Sequence, residues 1–206
     1  MLAGWPLAAP AWDGALVLRN ADRQGTQAAA SARLLVALVQ DALGQDQLTR
    51  LSRINEFFNR RIVFRDDAAV WSQTDYWASP LEMMAKGEGD CEDFAIAKYF
   101  SLLAAGLPPD TLRLVYVQAQ LGGDGGPLGA HMVLAYYATP QAEPLILDNL
   151  VAGVRAASRR PDLHPVFSFN ASGLWQGTGT TSAGDPLARL SRWRQVLDKA
   201  RQEGTL

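Results

Sequence analysis

Cysteine and histidine are almost missing from this chain. With one cysteine, Cys91, an intrachain disulfide framework is excluded, and with two histidines, His131 and His164, a zinc site of four Cys/His ligands cannot be assembled. An excess of charge of either sign is missing too. Nineteen Lys and Arg against 21 Asp and Glu leave a net charge of −2 over 206 residues. That balance argues against a protein that works by neutralising phosphates, so nucleic acid is not its partner. No apolar run reaches the roughly 18 to 20 residues a membrane-spanning helix requires. The first dozen residues, MLAGWPLAAPAW, lack a basic start and are broken by Pro6 and Pro10. They do not read as an intact signal peptide, although a mature chain that has lost its leader looks the same. What is present, 48% hydrophobic and 19% charged residues, is the composition of a compact globular protein.

Hydrophobic spacing predicts helices first and strands afterwards. Residues 1–25 read as irregular. Leu34, Leu35, Leu38, Val39, Ala42 and Leu43 recur at three-and-four spacing, giving a helix from about Thr26 that stops near Gly44. A second helix follows from Leu48, Leu51, Ile54, Phe57 and Phe58, and the mixed stretch IVFRDDAAVWSQTDYWAS reads as a loop. Ser79, Pro80 and Glu82 supply an N-cap, a proline at the first helical position and a capping-box acid, so a short helix spans about 80–86. Next comes GEGDCEDFAIAKYFSLLAAGLPP, a central helix ended by Gly106 and the two prolines. The period then changes to that of strands in LRLVYVQAQL, HMVLAYYA and PLILDNLV, the first two joined by a glycine-rich loop at 122–126. VFSFNASGLW adds a strand, GTGTTSAGDP reads as a polar loop, and a helix at 189–202 closes the chain. The expectation is one α+β domain over 1–206.

Cys91 stands where a thiol is useful, at the start of a helix behind a glycine-rich turn. Helix N-terminal amides favour an anion and so favour the thiolate. It needs a base. His131 sits on a predicted strand, whereas His164 lies between Leu163 and Pro165 in a polar segment, so His131 is the better candidate. Asp148, in LILDNL, is the candidate for orienting the imidazole. If the strands carrying His131 and Asp148 are antiparallel neighbours, the two side chains lie side by side, with the helix of Cys91 packed across them. Asp90, Glu92 and Asp93 put three carboxylates beside the thiol, which raises its pKa unless something offsets them. A Ca²⁺ ion does so; acidic capping of the helix start is the alternative. Trp71, Tyr76 and Trp77 are candidate walls of a narrow cleft, and Trp77 is equally a core aromatic.

The run WASPLEMMAKGEGDCEDFAIAKYFSLLAAGLP, followed in order by GAHMVLAYY and LILDNL, resembles the bacterial transglutaminase-like cysteine proteinases, specifically the LapG-type periplasmic proteases, over roughly residues 50 to 175. The resemblance implies a papain-like/transglutaminase-like fold with helices packed on an antiparallel sheet. It implies Cys91 as nucleophile, His131 as base and Asp148 as orienting acid, with Asp90, Glu92 and Asp93 in a Ca²⁺ site on which activity depends. It further implies a large surface adhesin as substrate, cut near its N-terminus next to a pair of alanines, which releases cells from a biofilm. Control would come from a LapD-type inner-membrane receptor for cyclic di-GMP, and the location would be the periplasm. The same residues also suit acyl transfer to an amine, or a catalytically silent calcium-binding module.

Overall fold

The computed structural model describes residues 12–122 and 125–206. The proline-broken start at 1–11 and part of the glycine-rich loop lie outside the described residues.

Three helices open the structure: α1 (Gly14–Gln24), α2 (Thr26–Ala42) and α3 (Gln47–Arg61). The first corrects the expectation of an irregular segment over 1–25. Asp13 caps α1 by accepting from Leu16 N–H at 2.9 Å, and Val17 and Ala21 are buried on the core side. The stretch expected as a loop carries two short elements, β1 (Val63–Phe64) and α4 (Asp67–Val70). β1 pairs in parallel with β2 (Glu88–Gly89), which fastens the approach to Cys91. Between them α5 (Pro80–Lys86) forms as its capping signals predict: Ser79 Oγ accepts from Glu82 N–H while the Glu82 carboxylate accepts from Ser79 N–H. It ends at Gly87, whose φ of +68° is the left-handed conformation that glycine adopts without strain.

The central helix α6 (Cys91–Ala104) is buried along its whole middle, from Asp93 to Leu102. It lies on one face of a seven-stranded antiparallel sheet of order β6-β5-β4-β3-β7-β8-β9. The strands are β3 (Leu112–Gln120), β4 (Leu128–Tyr136), β5 (Leu145–Leu147), β6 (Arg155–Ala156), β7 (Leu163–Phe169), β8 (Leu174–Gln176) and β9 (Ser182–Gly184). VFSFNASGLW, expected as one strand, becomes two, because Asn170 Oδ1 accepts from the N–H groups of Ser172 and Gly173 and turns the chain. The polar loop after it contributes β9.

Alternation along β3 and β4 sorts their side chains. Leu112, Leu114, Met132, Leu134 and Tyr136 join the helical core, while Val115, Val117, Ala119, Val133, Ala135 and Ile146 form a second apolar cluster on the other face. After α7 (Pro186–Arg189), the closing helix α8 (Ser191–Glu203) returns to the main core, where Trp193 stacks on Phe100 with centroids 5.8 Å apart. No helix among the described residues is long and apolar enough to cross a membrane.

Candidate active site

His131 and Asp148 come together as expected from neighbouring antiparallel strands. β4 and β5 pair through Leu134↔Leu147, and His131 Nε2 lies 2.8 Å from Asp148 Oδ1, with both side chains almost wholly buried. His131 lies inside β4, which begins three residues earlier than the histidine, and Asp148 lies one residue beyond β5. α3 holds that end of the strand: Asn59 Nδ2 donates to the Asp148 carbonyl at 2.7 Å. Burial alone would raise the Asp148 pKa. The hydrogen bond and charge of His131, the Leu150 N–H and the Arg160 guanidinium override it and bring the carboxyl down to about 2. An ionised Asp148 is an acceptor only, so Nε2 carries the proton and donates, leaving Nδ1 as the basic nitrogen.

Cys91 is the first residue of α6, with Asp90 as N-cap. α6 packs on the Met132 and Leu134 side of β4, while His131 has the parity of Val133; the helix is therefore not laid across the histidine. Its first residue instead meets the edge of the strand. β5 stops pairing at Leu147, and on the stretch of β4 it leaves unpaired the Met132 N–H faces the Cys91 sulfur, favouring the thiolate. The thiol itself donates to Glu92 Oε2 at 2.8 Å. Burial, then the charge of Glu92, this hydrogen bond and Asp90 push the thiol pKa upward. The helix-end argument alone predicts the opposite; here two neighbouring carboxylates and desolvation outweigh the dipole.

The acids divide differently from their spacing. Asp90 and Asp93 converge with Asp67, a residue the sequence reading did not select, so that one carboxylate oxygen from each lies within 4.8 Å of the others. Asp67 is buried, Asp93 wholly so, and Oδ1 of Asp67, Oδ1 of Asp90 and Oδ2 of Asp93 have no hydrogen-bond partner among the described residues. Burial foremost raises all three: Asp67 with the charges of Glu92 and Asp75 adding, Asp90 to about 9 and Asp93 to about 8 with Glu92 and the other clustered acids adding. Glu92 sits beside this cluster with its carboxylate turned to the thiol. Asp93 lies so close over Gly89 that a Cβ there would stand 2.7 Å from its Oδ2. Clustered hard oxygen donors of this kind fit a divalent cation such as Ca²⁺.

The strap that completes the cluster is the chain from 75 to 79. Tyr76 N–H donates to Asp67 Oδ2, and Ala78 N–H donates to Asp93 Oδ1 at 2.7 Å. α8 secures it from behind: Lys199 Nζ donates to Tyr76 Oη, the Trp77 carbonyl and Glu82, and Ser79 Oγ donates to Glu203 at 2.5 Å. Trp71 packs on Tyr76, and Trp77 stacks on Phe169 within the core, so these aromatics buttress the strap. On β3 a further aromatic, Tyr116, is packed against the main core. Its phenol pKa is raised by burial and then by the charges of Glu92 and Cys91, and its ring stacks on Phe167 at 5.1 Å. His164 is exposed on β7, opposite Gln118.

A thiol at a helix start, facing the strand that carries a buried His–Asp pair on an antiparallel sheet, is the arrangement of a thiol enzyme of the papain-like and transglutaminase-like class. The model of the bacterial transglutaminase-like cysteine proteinase family matches residues 26–162. Among solved structures, Legionella pneumophila LapG in its EGTA-treated form is 37% identical, with a TM-score of 0.81 over 93% of this chain and 99% of that one. A second LapG structure is 36% identical with a TM-score of 0.78 at the same coverage. The calcium-bound form is 36% identical, with a TM-score of 0.77 over 91% and 98%. No curated protein matches the chain. The chain belongs to the bacterial transglutaminase-like cysteine proteinases, with their α+β fold, and is a cysteine protease.

Proposed function

We propose that the chain is a calcium-dependent endopeptidase of the periplasm that cuts the N-terminal region of a large surface adhesin next to a pair of alanines, so releasing cells from a biofilm. A LapD-type inner-membrane receptor for cyclic di-GMP restrains it. The observation that carries the reading is the buried His131–Asp148 pair at 2.8 Å on the strand whose amide meets Cys91. The likeness to LapG over nearly the whole chain supports the choice of substrate and receptor.

Cys91, His131 and Asp148 act in order. The thiol turns from Glu92 and passes its proton to Nδ1 of His131 while Asp148 holds Nε2–H. The sulfur attacks the scissile carbonyl, and N–H groups at the start of α6 receive the oxyanion. The imidazolium then returns its proton to the leaving amine, and water, deprotonated by His131, releases the acyl group and restores Cys91.

Asp67, Asp90 and Asp93, with Glu92 beside them, would hold the calcium. Their unpartnered buried oxygens support that assignment, as do the calcium-bound and EGTA-treated forms in which LapG was solved. Bound there, the ion supplies positive charge that lets the acids ionise and relieves the repulsion on the thiol.

The deciding experiment incubates the protein and Ca²⁺ with a purified adhesin N-terminal fragment and sequences the new terminus. One cut beside the alanine pair, lost with Cys91→Ala and with a chelator and regained on adding Ca²⁺, is the expected result. An intact crosslinked product, or undiminished cleavage by Cys91→Ala, overturns the reading.

A further inference from the structure

The catalytic carboxylate has two oxygens, and the triad uses one. Oδ1 of Asp148 accepts from His131 Nε2 and from the Leu150 N–H at 3.1 Å. Oδ2 faces Arg160, whose Nη1 is 2.7 Å away, and the two side chains are 1% and 4% exposed. Asp148 stands past the last paired residue of β5, so the strand ladder does not fix its side-chain torsions. Arg160 is itself held. Its Nε donates to Asp162 Oδ1 at 2.9 Å and its Nη2 to Asp162 Oδ2 at 2.7 Å, a bidentate fork, while its N–H donates to the Ala157 carbonyl.

We propose that Arg160 is a positioning residue of this protease: braced by Asp162, it fixes the Asp148 carboxylate in the rotamer that presents Oδ1 to His131. The proposal rests on the triad reading and deepens it. As a source of stability, a buried ion pair does little better than apolar packing of the same volume. As a device for orientation, a planar guanidinium has few rivals: two of its nitrogens are pinned on Asp162, which fixes the plane in which the third makes its ion pair with Asp148 Oδ2. The remaining charged group facing Asp148 is Lys98 of α6, which is wholly buried and has no hydrogen-bond partner among the described residues. A single-bonded ammonium on another element cannot replace the fork.

The test compares Arg160→Met, Arg160→Lys and Asp162→Asn with the unaltered protein, Ca²⁺ present, on the adhesin fragment named above. Arg160→Met is expected to lower kcat by about ten- to a hundredfold with KM within about twofold, the scale on which orienting partners act. Arg160→Lys recovers little of the loss, because one ammonium cannot hold Asp162 and Asp148 in a fixed plane. Combined with Asp148→Asn, Arg160→Met adds nothing, since its effect passes through that carboxylate. A substrate-free readout accompanies it: ¹⁵N shifts of the His131 ring report the Nε2–H tautomer in the unaltered protein and a mixture of tautomers in Arg160→Met. If Arg160→Met does not fold, Asp162→Asn carries the test, with an expected severalfold fall in kcat and the same change in tautomer. Unaltered kcat and tautomer in folded variants, or additive losses in the double variant, overturn the role of Arg160. Failure of the triad reading is told apart by cleavage that persists in Cys91→Ala.

Discussion

Gly89 shows how tightly single residues are specified here. Any side chain at this position drives into Asp93, which donates one oxygen to the acidic cluster and takes the Ala78 N–H with the other. Gly89→Ala is therefore expected to weaken calcium affinity by about tenfold or more, because the buried neighbours leave Asp93 no room to yield. Isothermal titration calorimetry with Ca²⁺ measures it. For Asp148→Asn the expectation is a fall in kcat of about a thousandfold or more with KM little altered, since an amide favours the wrong imidazole tautomer. Steady-state cleavage checks it.

The pairing of His131 with Asp148 and the place of Cys91 at a helix start were readable at this scale because the chain offers one thiol, two imidazoles and a strand-borne acid in that order. Asp67 and Arg160 were not. Asp67 lies 23 residues before Asp90 in a stretch without periodicity, and only the strap of 75–79 folds it back. Arg160 sits among other arginines in a polar turn, where nothing in the pattern distinguishes a buried guanidinium from a solvated one. The helix start of Cys91 was read well and its electrostatics badly, because burial depends on tertiary contacts that spacing does not contain.

Elements with local signals formed where their residues said they would. α5 is the clearest case, bounded by a capping box at Ser79 and a left-handed glycine at 87. α1 was missed because its capping Asp13 follows a proline-broken apolar stretch and its core face is reduced to small or single residues such as Val17 and Ala21. The Ser79 cap is also shared with α8. Its Oγ donates to Glu203, a buried acid whose pKa is raised by desolvation from 4.5 to about 7. Between those values the native state holds a proton that the unfolded chain has lost. Stability from this group is thus complete below about pH 4.5, declines as pH rises toward 7, and is flat above. The loss amounts to about 3 kcal/mol. Glu203→Gln removes that slope and leaves the protein more stable than the unaltered chain at pH 8; urea denaturation at pH 5 and pH 8, with Ca²⁺ held constant, measures both.

Across the whole molecule, three carboxylates are packed together on the helical side of the sheet, and their repulsion opposes folding unless a cation joins them. Chelation is expected to lower the melting temperature by several degrees, on the order of 1 to 3 kcal/mol for a chain of this size, with full recovery on adding Ca²⁺. Scanning calorimetry with and without EGTA checks it, and an unchanged transition would remove calcium from the cluster. The order of helices before strands was legible from the change in hydrophobic period. The seven-strand order was not, since β7 crosses to pair with β3 through register alone.

The hold of α8 on the strap gives the C-terminus a reach that its position does not suggest. Lys199 and Glu203 touch none of the three clustered carboxylates, yet they grip the segment whose amides serve Asp67 and Asp93. The family model itself matches residues 26–162 and so stops before this grip. Lys199→Met tests that reach: calcium affinity is expected to fall severalfold in a calorimetric titration while the ring nitrogens of His131 keep their tautomer, which would make the last helix the tuning peg of a site it never enters.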